Sequence, residues 1–321
     1  MKRAAVLCGL WMALVSTPAD AQQRDALIVS GATGGSEYAE QYMAWTASFT
    51  KMLTGRMKFD PARITVLSDT DSADDAATAA NVRKAITTVR ARMAREDLLV
   101  ILLVGHGTAD GEDAKFNLVG PDMGASEWAS LLQRLPGHLA VVNTTAGSFP
   151  FIERLSGPRR VVISATDSVA QRFDTVFPEY FVKAFEDEAA DLDKNGRVSL
   201  WEAFASASAA VRRHYQQRGQ LSTERSLLDD DGDGVGRSAS EKGTDGGLAT
   251  RTYLDDNHPD AVPTDEALLA LLQRKSLAEG ELDELKIRRA FLQREEYLKE
   301  FERIITELAR VSSEIRQRQK S

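Results

Sequence analysis

At 321 residues with 43% hydrophobic content, the chain can fill one sizeable α/β core with an appendage, or two domains. Lys and Arg total 40 against 48 for Asp and Glu, a formal net charge of -8. No stretch gathers enough basic residues to track a phosphate backbone, so nucleic acid is not an expected partner.

The chain opens on Met1-Lys2-Arg3, runs apolar from Ala4 to Val15, and reaches Ala19-Asp20-Ala21 before Gln22. A positive start, a short hydrophobic run and a small-x-small site imply a secretory signal peptide over residues 1–21, removed on export to a periplasm or to the exterior. An uncleaved anchor or a buried first helix is the competing reading. The run is shorter than the ~20 residues a membrane span needs, and nothing after Ala21 is long and apolar enough to cross a bilayer. Cys8, the one cysteine, lies inside this leader. The mature chain is therefore expected to have neither a disulfide nor a thiol nucleophile.

Ala26 to Ser30 reads as a buried strand ending at Gly31-Ala32-Thr33-Gly34-Gly35, and Tyr38, Tyr42, Trp45, Phe49 and Met52 recur at the spacing of one helical face. The glycine-rich turn has the outline of a dinucleotide loop. Glu37, however, stands near the place of the third glycine, where a carboxylate would repel phosphate. Ile64 to Leu67 is a second strand, followed by a helix whose inner face is Val82, Ile86, Val89 and Met93. Leu98 to Val104 is an unbroken apolar run, as a parallel strand covered on both faces requires, and it ends at Gly105-His106-Gly107. Ser126 is placed to cap the helix carrying Trp128, Leu131 and Leu132. Leu139 to Val142 makes a fourth strand leading into Asn143-Thr144-Thr145-Ala146-Gly147-Ser148-Phe149, and Val161 to Ser164 a fifth. The alternation predicts an α/β fold with a mostly parallel sheet flanked by helices, whose ligands gather beyond the strand C-termini. His106 and the Thr144 to Ser148 turn both fall on that edge.

Phe177 to Arg218 is helical around an acidic loop, and Ser226 to Asp256 is rich in Gly and Asp. An α/β domain over residues 22–256 would thus precede a helical region over residues 257–321. There Phe291, Leu298, Phe301, Ile305, Leu308 and Ile315 follow coiled-coil spacing, with Gly280 separating a short helix from a long one. Both a hairpin folded onto the domain and self-association through these helices fit the pattern.

The strand ending in Gly105-His106-Gly107, followed by Asn143-Thr144-Thr145-Ala146-Gly147-Ser148-Phe149 and then Ser156 to Thr166, resembles the core of the caspase-like clan, most closely the bacterial relatives of legumain. The resemblance covers roughly Asp25 to Asp256. It implies that His106 matches the histidine assisting a cysteine at the end of the next strand, and that Gly107 matches the residue whose N–H faces a developing oxyanion. The cysteine position falls on Thr144 or Ala146, neither of them a thiol, so cysteine chemistry is not available. Thr144, Thr145 and Ser148 could serve as hydroxyl nucleophiles with His106 as base. A purely structural role for these residues stands beside that reading, and no acidic partner orienting His106 can be identified from sequence. His138, His214 and His258 show no ligand spacing and are expected at the surface.

Asp191-Leu192-Asp193-Lys194-Asn195-Gly196-Arg197-Val198-Ser199-Leu200-Trp201-Glu202 fits an EF-hand loop at every position. Oxygen side chains stand at Asp191, Asp193, Asn195 and Ser199, Gly196 allows the sharp turn, Arg197 offers its carbonyl and Glu202 closes as bidentate ligand. Hard oxygen donors in this number suit Ca²⁺. An acidic connection between two helices is the plainer alternative. Asp229, Asp231 and Asp233 begin a second such loop, but Arg237 and Ser240 occupy its ninth and twelfth places, so any ion there is held weakly or needs ligands from elsewhere, and a solvated acidic turn is the equal alternative. The resulting expectation is an exported, calcium-binding caspase-like module, non-catalytic and engaging a peptide or protein partner. A hydrolase using a Thr or Ser nucleophile with His106 is the alternative.

Overall fold

The computed structural model describes residues 22–109, 113–241, 243–255, 265–289 and 292–318; the leader with Cys8, and also His258 and Phe291, lie outside these. Five parallel strands form the centre: β1 (Arg24–Ser30), β2 (Ile64–Leu67), β3 (Leu98–Val104), β7 (His138–Asn143) and β8 (Arg160–Ser164). A sixth strand, β9 (Leu227–Asp229), closes one edge antiparallel to β8, giving the order β2-β1-β3-β7-β8-β9. The sequence reading found the five parallel strands and missed β9, which is only three residues long and hidden in an Asp-rich stretch. Between β3 and β7 the short strands β4 (Gly107–Thr108), β5 (Lys115–Phe116) and β6 (Met123–Gly124) form a small antiparallel sheet beside the His106 end of β3.

The unbroken apolar strands are explained by two cores. Leu27, Val29, Leu99, Ile101, Leu103 and Val141 point to one face, against α2 (Ala79–Arg92), α3 (Ala125–Leu132) and α4 (Phe151–Leu155). Ala26, Ile28, Val100, Leu102, Val142 and Ile163 point to the other, against α1 (Ser36–Gly55), α5 (Phe177–Ala184) and α6 (Leu200–Gln217). Side chains alternate faces along a strand, so covering both faces demands apolar residues at every position.

Two helices follow as a hairpin, α7 (Glu266–Arg288) and α8 (Arg294–Arg318). Leu269 and Leu272 of α7 and Val311 and Ile315 of α8 join the same core as α5 and α6. The helix break expected at Gly280 is not there; Gly280 lies within α7, where its missing side chain leaves room for the Arg212 guanidinium. The expected seam is buried only in part: α8 buries its Ile315 together with Ile304 and Val311, while Leu298 and Ile305 are exposed. A heptad pattern cannot tell which neighbouring apolar stripe a helix turns inward when it packs on a globular core.

Two smaller expectations also change. Ser126 does not cap α3: the helix begins at Ala125, and the Asp113 carboxylate accepts from the Ser126 N–H at 3.1 and 3.2 Å instead. His138 is buried at the start of β7, and His214 is half-buried on α6, with its Nδ1 2.8 Å from the Tyr180 hydroxyl.

Candidate functional site

The carboxyl ends of β1, β3, β7 and β8 deliver four segments to one edge. After β3 the chain turns at Gly105, whose φ of +146° is a conformation glycine adopts freely. This sends His106 out of the sheet, its side chain 28% exposed. Gly107 then passes so close to the β7 turn that an added methyl would collide with the Thr145 hydroxyl and come within 3.1 Å of the Gly147 nitrogen. The strand-His-Gly element and the Thr144 to Ser148 turn are thus brought together as expected. It is Thr145, rather than Thr144 or Ala146, that faces Gly107.

The hydroxyls at this edge are spent inward. Thr144 Oγ1 donates to the Leu103 carbonyl at 2.7 Å, and Thr145 Oγ1 donates to Asn143 Oδ1 at 2.9 Å. Ser148 Oγ accepts from the Ala165 N–H at 3.0 Å and lies 3.1 Å from Thr166 Oγ1. All three side chains are buried, at 1% exposure or less. None of these bonds goes to His106.

His106 has an acidic partner that the sequence did not reveal. Its Nδ1 lies 3.1 Å from Asp174 Oδ1, and the Tyr38 hydroxyl donates to the other oxygen of that carboxylate at 2.5 Å. Nε2 faces the Thr33 carbonyl at 3.2 Å and the Tyr42 hydroxyl at 3.3 Å. A ring protonated at Nδ1 alone accepts the Tyr42 proton, and one carrying both protons donates to Asp174 and to Thr33. The Asp174 hydrogen bond raises the Tyr38 phenol above its ordinary value, and burial raises that of Tyr42 further, so both stay protonated and neither is a ready nucleophile. Tyr38 and Tyr42 had been visible only as positions on a helical face. Asp174 stands in a segment without motif, 136 positions from the tyrosine it binds. The same segment exposes Phe173 (67%) and Val169 (49%) to solvent.

The predicted metal loop runs between α5 and α6. Asp191, Asp193 and Glu202 each aim a carboxylate oxygen within 4.8 Å of the others. The Gly196 and Asn195 N–H groups donate to Asp191 (2.9 and 3.1 Å), Asn195 N–H also to Asp193 (3.0 Å), and Arg197 N–H to Asn195 Oδ1 (2.8 Å). These turns tie the loop around its acidic centre. Gly196 takes φ +84° at the sixth place, and Ser199 caps α6 in a reciprocal box with Glu202. Burial, reinforced by the charge of Asp193, lifts the Glu202 carboxyl to about 7, and burial lifts Asp193 to about 6. Converging, desolvated carboxylates of this kind favour either protons or a hard cation, and the donor set fits Ca²⁺. In place of a second loop, Ser199 bridges antiparallel to Tyr253, whose ring stacks under the Arg197 guanidinium at 3.8 Å. The buried Lys275 of α7 donates to the Leu192 carbonyl at 2.5 Å.

The second acidic loop repeats the pattern. Gly234 N–H donates to Asp229 (2.7 Å), Asp233 N–H to Asp231 (3.0 Å) and Val235 N–H to Asp233 (2.7 Å), and the three carboxylates again converge within 4.8 Å. Here the ninth residue supplies a cation of its own. Arg237 reaches Asp233 at 2.9 Å and Asp245 at 2.5 Å.

No protein-family model and no curated protein matches the sequence. Among solved structures, the chain is similar to a structural-genomics target protein from Geobacter sulfurreducens, with a TM-score of 0.44 and 13% identity over 65% of this chain and 93% of that one. It is similar also to caspase-1 from Spodoptera frugiperda, with a TM-score of 0.42 and 8% identity over 65% of this chain and 86% of that one. These likenesses are distant and concern the course of the chain alone. Among the described residues no helix is long and apolar enough to cross a membrane.

Proposed function

We propose that the chain is an exported module of caspase-like architecture, related in its motifs to the legumain-like peptidases, that binds a peptide or protein partner at the His106 edge without cleaving it and is clamped by Ca²⁺ at the Asp191 to Glu202 loop. The observation that carries this reading is that Thr144, Thr145 and Ser148 are buried and hydrogen-bonded away from His106, whose own ring nitrogens face Asp174 and Thr33. A hydroxyl nucleophile needs a base within hydrogen-bond reach. The accessible edge, with Phe173 exposed beside a His-Asp-Tyr cluster, offers apolar and polar contacts for a partner. At the second loop Arg237 already pairs with Asp233 and lies 3.8 Å from Asp231, so an ion there would be held more weakly than between Asp191 and Glu202.

One observation favours a second reading, a hydrolase: the Asp174–His106 pair has the base-and-orienter arrangement of a catalytic triad. An immobilised peptide library incubated with the purified protein and Ca²⁺, beside a His106→Ala variant, separates the two. The binding reading expects retention of a subset of peptides, weakened by the substitution, and no cleavage. Cleavage that disappears in the variant would establish the hydrolase instead. Self-association through the outward face of α8, where Leu298 and Ile305 lie, is a further element of the proposal. It predicts a concentration-dependent increase in sedimentation coefficient, and a constant monomer value would remove it.

A further inference from the structure

A cavity of about 260 Å³ lies between α6, the chain from Ser222 to Ser226, the Ser238 to Ser240 turn and Ser276 of α7. None of the residues that touch His106, and none of the loop carboxylates, lines it. Three charged groups do, and two of them are already engaged. Glu224 turns its carboxylate to the Val176 and Phe177 N–H groups (2.7 and 3.1 Å) and to the Tyr215 hydroxyl (2.7 Å). Arg225 pairs with Glu241 at 2.6 Å and Asp167 at 3.5 Å.

Arg212 is different. It is half-buried, its guanidinium has no hydrogen-bond or ion-pair partner among the described residues, and Gly280 gives it space, since a side-chain carbon there would stand 3.3 Å from Nη2. A partly desolvated cation without a counter-charge is unfavourable unless a ligand supplies one. Around it the lining is rich in hydroxyls: Ser208 and Ser226 share a bond of 2.6 Å and Ser238 and Ser240 one of 3.2 Å, while the Ser276 hydroxyl has no partner among the described residues. Ala205, Val211 and Ala239 add a small apolar wall.

We propose that this cavity binds a small monoanionic hydroxycarboxylate, its carboxylate held by the Arg212 fork and its hydroxyls by Ser276 and the neighbouring serines. One uncompensated guanidinium matches one negative charge, and its planar donors suit a carboxylate in bidentate fashion. A phosphate dianion would bring a second, unmatched charge beside Glu224.

Titration calorimetry of the whole protein with L-lactate and D-gluconate, beside erythritol and inorganic phosphate, tests the assignment. At least one of the two carboxylates should saturate, and the neutral polyol and phosphate should bind at least tenfold more weakly. Arg212→Gln should reduce the affinity at least tenfold, Arg212→Lys by less, and Ser276→Leu, which fills the cavity from α7, should abolish binding. Failure of both carboxylates to saturate the wild type, tighter binding of phosphate, or an affinity unchanged in Arg212→Gln overturns the proposal. Should Arg212→Gln not fold, the wild-type comparison and Ser276→Leu decide in its place, and undiminished binding by Ser276→Leu counts against the site.

Discussion

Glu202→Gln is the substitution whose consequences can be followed furthest. Glu202 is 1% exposed; its Oε1 accepts from the Leu192 and Asp193 N–H groups at 2.8 and 3.2 Å, and its Oε2 from the Ser199 N–H and hydroxyl, both at 2.9 Å. Burial first, then the charge of Asp193, moves its carboxyl from an ordinary 4.5 to about 7 in the folded protein. A pKa raised on folding adds stability below the unfolded value that disappears as pH climbs through the folded value. The calcium-free protein should therefore lose about 3 kcal/mol between the ordinary glutamate value and neutrality. The proposed ion shared by Asp191, Asp193 and Glu202 would offset that loss: at a hundredfold excess over Kd it contributes about 2.7 kcal/mol, or about 4 °C in Tm for a chain of this size. Glutamine removes the proposed bidentate ligand and the Glu202 titration together. It also sets an amide donor among backbone donors, at about 1–3 kcal/mol. Calorimetric melting in acid and at neutral pH, with calcium or a chelator, should show a calcium increment and a falling chelated midpoint in the wild type; Glu202→Gln should lose the increment and show a shallower fall, since Asp193 still titrates, with a chelated midpoint in acid below that of the wild type. Equal calcium increments in both proteins, or none in the wild type, would refute the reasoning.

Asp174→Asn removes the carboxylate that raises Tyr38, so the phenol should return toward its ordinary value of 10.0. Ultraviolet difference titration reads this directly, and an unmoved phenol would contradict the Tyr38–Asp174 bond. Gly107→Ala drives a methyl into the Thr145 hydroxyl and should cost about 1–3 kcal/mol, seen as a lower denaturant midpoint at unchanged slope.

The contrast between what could and could not be read in the sequence follows from the range of the interactions. Leu98 to Val104 announces its own burial because every one of its residues is apolar, and the Asp191 to Glu202 loop announces itself because all its ligands lie within one turn of chain. Asp174 does neither. Its partnership with His106 and Tyr38 depends on the segment after β8 folding back over α1, which no local periodicity encodes. Arg237 lies between these cases: its place in the ninth position of the second loop was legible, but its contact with Asp245 was not. The outward turn of Leu298 and Ile305 shows the same limit in α8, where the pattern fixes a helix and leaves its rotation to the surface it meets.

The claim on which the account rests is that the hydroxyls of Thr144, Thr145 and Ser148 do not serve as nucleophiles. Incubation of the calcium-saturated protein with a fluorophosphonate and with a peptide epoxyketone, followed by intact mass measurement and peptide mapping, tests it directly. The account predicts an unmodified mass; a stoichiometric adduct on any of the three residues, absent in His106→Ala, would contradict it.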